Sequence, residues 1–171
     1  MLISESYRAL NRQLHESTDA YGTSGSRWVD LVRTLSERVN ASSILDYGCG
    51  KGRLRESLGE IVHEYDPAIP GKSDPPELAD VVVCTDVLEH VEPECIEAVI
   101  DDLGRLTRRV ALLTVNTAPA NKILSDGRNA HLIVQPSRWW LPRIMERFEL
   151  AQFDLLEVEF SVLVKPRQPA A

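Results

Sequence analysis

Six short apolar runs constrain the fold more than any other feature: Ser43–Tyr47, Ile61–Tyr65, Asp80–Cys84, Val110–Val115, Leu150–Leu156 and Phe160–Val164. Each has the length of a strand, and the central ones are continuously apolar rather than alternating, the pattern of strands buried on both faces. Between the earlier runs lie helical patterns over Arg53–Leu58 and Pro93–Leu106, the latter with Ile96, Val99, Ile100 and Leu103 in one stripe. Strand alternating with helix predicts an α/β, doubly wound, mostly parallel sheet. The last two runs are joined by too little chain for a crossover, so they predict an antiparallel hairpin at one edge. Ahead of the first strand the chain reads as helical from Leu2 to Glu16 and from Trp28 to Val39, with a Gly/Ser break at 21–26. In the second stretch Trp28, Leu31, Val32, Leu35 and Val39 share one face, and Ser26 is placed to cap it.

At 171 residues this is one domain's worth of chain. We read 1–165 as a single domain, with 1–40 as a helical cap or lid and 166–171 as a flexible tail. The formal net charge of −7 has the wrong sign for broad attraction to a phosphate backbone, so no broad nucleic-acid binding is expected. The chain lacks any run of 18 apolar residues and has no basic-then-apolar start, which predicts a cytoplasmic protein without a membrane partner. Cys49, Cys84 and Cys95 are odd in number and have no C-x-x-C spacing, and read as reduced packing residues.

The first run ends in Ile44-Leu-Asp-Tyr-Gly-Cys-Gly-Lys-Gly-Arg-Leu54, a strand, a glycine-rich turn and the start of a helix. Glycine suits such a turn because positive φ and the missing Cβ let backbone approach a ligand. Asp66 ends the second run, where a carboxylate can accept protons from a ribose diol. A dinucleotide fingerprint would need a third small residue where Arg53 stands. The pattern here is D-x-G-x-G-x-G, from Asp46 through Gly48, Gly50 and Gly52, and it resembles the first motif of class I S-adenosylmethionine (SAM)-dependent methyltransferases. That resemblance implies a Rossmann-like methyltransferase sheet, with Asp46, Tyr47, Gly48, Gly50, Gly52 and Asp66 as cofactor-binding residues, Asp46 either orienting the loop or contacting the cofactor's amino group.

The segment Asp80-Val-Val-Val-Cys-Thr-Asp-Val-Leu-Glu-His-Val91 resembles the fourth strand and following turn of the same family, in a branch whose signature ends in L-E-H. It is similar to small-molecule O-methyltransferases, such as those of ubiquinone biosynthesis, and to small-RNA 3′-terminal 2′-O-methyltransferases. Both groups are associated with a divalent metal at an acid-x-x-Glu-His cluster. The resemblance implies Asp86, Glu89 and His90 as catalytic residues and, with His131, as metal ligands. If 86–91 formed a helical turn, positions 86, 89 and 90 would share one face. Such a mixed O/N set suits a divalent transition metal, or Mg, more than calcium. Two other readings stay open at this point: His90 as a metal-free general base, and Asp86-x-x-Glu89 as a capping box.

Between Asp66 and Asp80 the chain has only PAIPGKSDPPELA, whose four prolines argue against the usual third strand. The sheet should be trimmed there, and Asp74 reads as a solvated loop acid. The acceptor should sit beyond the carboxyl ends of the later strands, with Arg128, Asn129, Arg138 and Trp139 as candidate substrate residues. Trp140, in line with Ile144 and Phe148, reads as core, and Tyr21–Gly25 as a lid over the cofactor. The implied activity is SAM-dependent O-methylation of a polar small molecule or glycan. A methyltransferase acting on an RNA end and a non-catalytic binding subunit are the alternatives.

Overall fold

The computed structural model describes residues 1–17 and 21–167. Helix α1 (Glu5–Ser17) and α2 (Val29–Arg38) precede β1 (Ile44–Tyr47), α3 (Arg53–Leu58), β2 (Val62–Tyr65) and β3 (Ala79–Thr85). Then come α4 (Ile96–Leu106), β4 (Thr107–Asn116), α5 (Ser137–Arg147), β5 (Phe148–Leu155) and β6 (Glu159–Pro166). The six strands form one sheet in the order β2-β1-β3-β4-β6-β5. Strands β1 to β4 pair in parallel, and β6 runs antiparallel to both β4 and β5, as the short final connection requires.

Burial follows the two-faced pattern of the sequence: all seven residues of β3 are buried. One face packs Leu45, Val82, Leu113 and Val162 against the α4 stripe of Ile96, Val99, Ile100 and Leu103, with Trp140, Ile144 and Phe148 completing that core. The other face packs Ile44, Val81, Val83 and Leu112 against Val32 and Leu35 of α2, with Trp28, Leu31 and Val39 at its margin. Ser26 does not cap α2. A 3-10 turn over Ser24–Trp28 leads into the helix instead, and the Ser26 hydroxyl donates to Thr23 O. All three cysteines are free and buried.

The described residues between Tyr65 and Ala79 contain no strand. Residues 66–72 close instead into a compact loop, with Ile69 N donating to Asp66 O, Lys72 N to Ile69 O and Asp66 N to Lys72 O. Asp74 is exposed there. The expected tail lies mostly outside the described residues, at 168–171, since β6 extends to Pro166. Among the described residues no helix is long and apolar enough to cross a membrane.

Because β2 lies on one side of β1 and β3 on the other, strand order reverses at β1. A crevice opens beyond the carboxyl ends of the strands at such a reversal, and the functional residues gather there.

Candidate active site

The turn after β1 is built from backbone. Gly48 and Gly50 have φ of +79° and +51°, left-handed values that favour glycine. A Cβ on Gly50 would lie 2.6 Å from Gly22 O, and one on Gly48 would strike the Val87 side chain. Gly48 N and Cys49 N donate to Tyr65 O, and Gly50 N donates to Asp66 Oδ2 at 3.2 Å, so the loop is tied to the end of β2. Lys72 Nζ donates to Gly50 O and to Glu64 Oε1, bracing the loop from the side of the 66–72 segment.

A cleft with about 800 Å³ of empty space, partly open to solvent, lies over this turn. Gly48, Gly50, Tyr47 and Asp66 line it, as do Asp86 and His90. Two residues expected at the cofactor do not. Gly52 opens α3 and backs onto Glu64 and Lys72. Asp46 is buried at 4% exposure beneath the loop, and burial first, then the Glu64 charge, pushes its carboxyl up to about 7. Its place suits the loop-orienting reading of this residue.

The second half of the cleft is built from side chains. Asp86 follows β3 with φ of +60°, a conformation that costs a non-glycine residue on the order of 1–2 kcal/mol. Its N–H donates to Thr114 Oγ1. Donor atoms of Asp86, His90 and His131 all lie within 4.8 Å of one another. His90 Nδ1 is 2.8 Å from Ala130 O, and His131 Nδ1 is 2.6 Å from Ala118 O. A carbonyl only accepts, so each Nδ1 carries a proton, and in the neutral form of either ring Nε2 holds the lone pair. Burial first lowers the His90 pKa to about 4, with the Asp86 charge opposing that shift, so the ring is neutral near pH 7. The two imidazoles meet edge to face at 4.7 Å.

Glu89 is not among these close donor atoms, contrary to the one-face expectation, yet its carboxylate lies within reach of the Asp86 charge and its buried Oε2 has no hydrogen-bond partner among the described residues. Asp86 is not helical, and the 3-10 turn Leu88–His90 carries Glu89 into the interior, fully buried. Its Oε1 accepts from Asn116 N at 2.6 Å, and its carbonyl accepts from Ile133 N. Glu89 therefore fixes the end of β4 and the segment carrying His131. Burial, then the Asp86 charge, pushes the Glu89 carboxyl well above the usual range. The capping-box geometry is absent as well: Val87 precedes the turn and no side chain caps it.

The expected substrate residues do not line the cleft. Asn129 is structural, its amide bridging Ala120 O, Ala120 N and His131 N. Arg128 pairs with Asp126 and lies 5.5 Å over the Tyr7 ring. Trp139 stacks under Arg143, and Arg138 is exposed. Tyr21, Gly22 and Ser24 of the segment read as a lid line the cleft, whereas the sequence reading singled out none of Tyr7, Asn11 and His15 of α1, which line it too. The signal was present as a Tyr7, Asn11, Leu14, His15 spacing on one face, but polar residues on such a face give no period in hydrophobicity.

The profile of the methyltransferase-domain family matches residues 21–156. No curated protein matches the sequence significantly. Among solved structures, the fold is similar to the 1,6-didemethyltoxoflavin-N1-methyltransferase of Burkholderia thailandensis with 1,6-didemethyltoxoflavin and S-adenosylhomocysteine bound. That match has a TM-score of 0.67 and 15% identity, over 98% of this chain and 92% of that one. It is also similar to the N-methyltransferase NodS of Bradyrhizobium japonicum with S-adenosylhomocysteine, at 0.63 and 13%, over 95% and 100%. A third is the magnesium protoporphyrin IX methyltransferase of Synechocystis PCC 6803, also with S-adenosylhomocysteine, at 0.58 and 15%, over 96% and 88%. Identities this low carry the fold alone.

Proposed function

Because this chain belongs to the methyltransferase-domain family, as a class I SAM-dependent methyltransferase, we propose that it methylates a hydroxyl oxygen of a polar small molecule, glycans included. The observation that carries this reading is the convergence of Asp86, His90 and His131 in and beside the cleft that the glycine turn also lines. Cofactor and acceptor then meet in one space. The turn at Gly48 and Gly50 takes the amino-acid end of SAM, and Asp66 takes the ribose.

Two imidazoles with fixed tautomers and one carboxylate are a donor set suited to a divalent transition ion, and carbonyl partners on the second ring nitrogens are what such ligands have. Asp86, His90 and His131 would hold that ion, which supplies the lowering of an acceptor hydroxyl's pKa. A metal-free base at His90 is the weaker reading, because burial lowers its pKa and so weakens it as an acceptor of an alcohol's proton. In the transfer the acceptor oxygen forms a bond to the methyl carbon as the carbon–sulfur bond breaks. The hydroxyl proton leaves to solvent, and S-adenosylhomocysteine is the second product. Alignment supplies much of the rate, since donor carbon and oxygen are held in line.

The test is an acceptor screen read as S-adenosylhomocysteine released, with the methylated atom located by mass spectrometry. The expected result is oxygen methylation that EDTA abolishes and that His131→Ala lowers by about a hundredfold or more. Methylation of nitrogen, or activity indifferent to both EDTA and His131→Ala, overturns the reading.

A further inference from the structure

Helix α1 is fastened across the cleft at both ends. At its start Ser4 N and Oγ donate to the Glu92 carboxylate at 2.7 and 2.6 Å, and Tyr7 OH donates to His90 O at 2.6 Å. At its end Lys51 Nζ, from the glycine turn, donates to His15 O at 2.9 Å. The backbone that carries His15 is thus held on the same turn whose Gly50 N holds Asp66.

His15 lines the cleft with its side chain 12% exposed, and its Nε2 lies 3.9 Å from Asp66 Oδ2. That separation is too long for a hydrogen bond. The other ring nitrogen, Nδ1, is buried and has no hydrogen-bond partner among the described residues. It faces the Cα of Gly22, where a Cβ would come within 3.3 Å of it. A buried N–H without an acceptor costs more than a bare lone pair beside carbon, so the tautomer with its proton on Nε2 is favoured. Burial lowers the His15 pKa, the Asp66 charge working against that shift, and this keeps a single donor on the ring. Asp66 in turn accepts from Gly50 N on Oδ2 and from Ala68 N on Oδ1, which leaves lone-pair capacity for a further donor.

A donor and an acceptor 3.9 Å apart are bridged by one hydroxyl oxygen about 2.8 Å from each. We propose that His15 is a second ribose-binding residue, its Nε2–H donating to the same sugar hydroxyl that donates to Asp66. The nucleoside is then held between the end of β2 and α1, and the N-terminal helix becomes a determinant of cofactor specificity. This rests on the reading of the cleft as a SAM site.

Calorimetric titration of the full chain with S-adenosylhomocysteine and with its 2′-deoxy and 3′-deoxy analogues tests the inference. His15→Phe keeps a ring against Tyr21 and removes the N–H, whereas His15→Gln restores an N–H of similar reach. His15→Phe is expected to weaken S-adenosylhomocysteine binding about tenfold, His15→Gln to recover most of that loss, and the loss to vanish with one of the two deoxy analogues. Equal loss with all three ligands, or unchanged binding in His15→Phe, overturns it. If His15→Phe fails to fold, wild type binding both deoxy analogues as tightly as the parent overturns it equally. Wild type that binds no S-adenosylhomocysteine brings down the cofactor reading itself, a result distinct from the loss of His15's role alone.

Discussion

The two halves of the cleft are made by different means. The proposed cofactor half is backbone: Gly48 and Gly50 in left-handed conformations, tied to Tyr65 O and the Asp66 carboxylate. The proposed acceptor half is side chain: Asp86 and His90, with His131 beside them, come from two separate segments, and the two imidazoles are aimed by the carbonyls of Ala130 and Ala118. A backbone site tolerates change in side chains but not in glycine, whereas a side-chain site keeps its fold when its chemistry is removed. Substitutions in the two halves should therefore fail in different ways.

The largest effect belongs to Gly50→Ala, whose Cβ would lie 2.6 Å from Gly22 O and 2.7 Å from Gly22 Cα at a φ of +51°. Both contacts are with backbone, so the loop must move. We expect SAM affinity to fall by a hundredfold or more, with a lower melting temperature. Asp86→Asn and His131→Ala come next: turnover should fall by about a hundredfold, with the dissociation constant of S-adenosylhomocysteine within about twofold of wild type. Loss of affinity in either would mean that the two halves are not separable. Lys72→Met should weaken SAM binding by about three- to tenfold, through loss of the bonds to Gly50 O and Glu64. Arg138→Ala, at an exposed position away from the cleft, should change neither quantity measurably.

A pH measurement separates the support beneath the loop from the loop itself. Asp46 has its carboxyl raised from 3.8 to about 7, so the folded state binds its proton more tightly than the unfolded chain does. The sign follows: this contribution to stability is fully present below about pH 4 and is lost as pH rises through 7. Asp46→Asn should flatten the dependence of stability on pH between those limits. Unchanged curvature in denaturant unfolding at pH 5 and pH 8 would contradict the buried placement.

The contrast between the halves also explains what the sequence could be made to reveal. The mostly parallel sheet, the hairpin, the missing third strand and the glycine turn were legible, because apolar periodicity, proline and glycine act locally on the backbone. The two cores follow the stripes of Trp28–Val39 and Ile96–Leu103 residue by residue. The burial of Glu89 was not legible, because D-x-x-E-H has one spacing in a regular helix and another when Asp86 sits at φ of +60°, and nothing in the letters marks that angle. Asn129 and Trp139 read as substrate residues by composition, yet one staples its own loop and the other stacks under Arg143. His15 was not singled out, since its proposed role depends on α1 folding back over a turn reached 35 residues later, at Gly50.

The most direct test of the central claim is titration of S-adenosylhomocysteine into wild type, Asp66→Ala and Asp86→Asn by calorimetry. The account predicts micromolar binding to wild type, its loss in Asp66→Ala and its retention in Asp86→Asn. Failure of wild type to bind, or loss in Asp86→Asn equal to that in Asp66→Ala, would contradict a cleft with separate cofactor and acceptor halves.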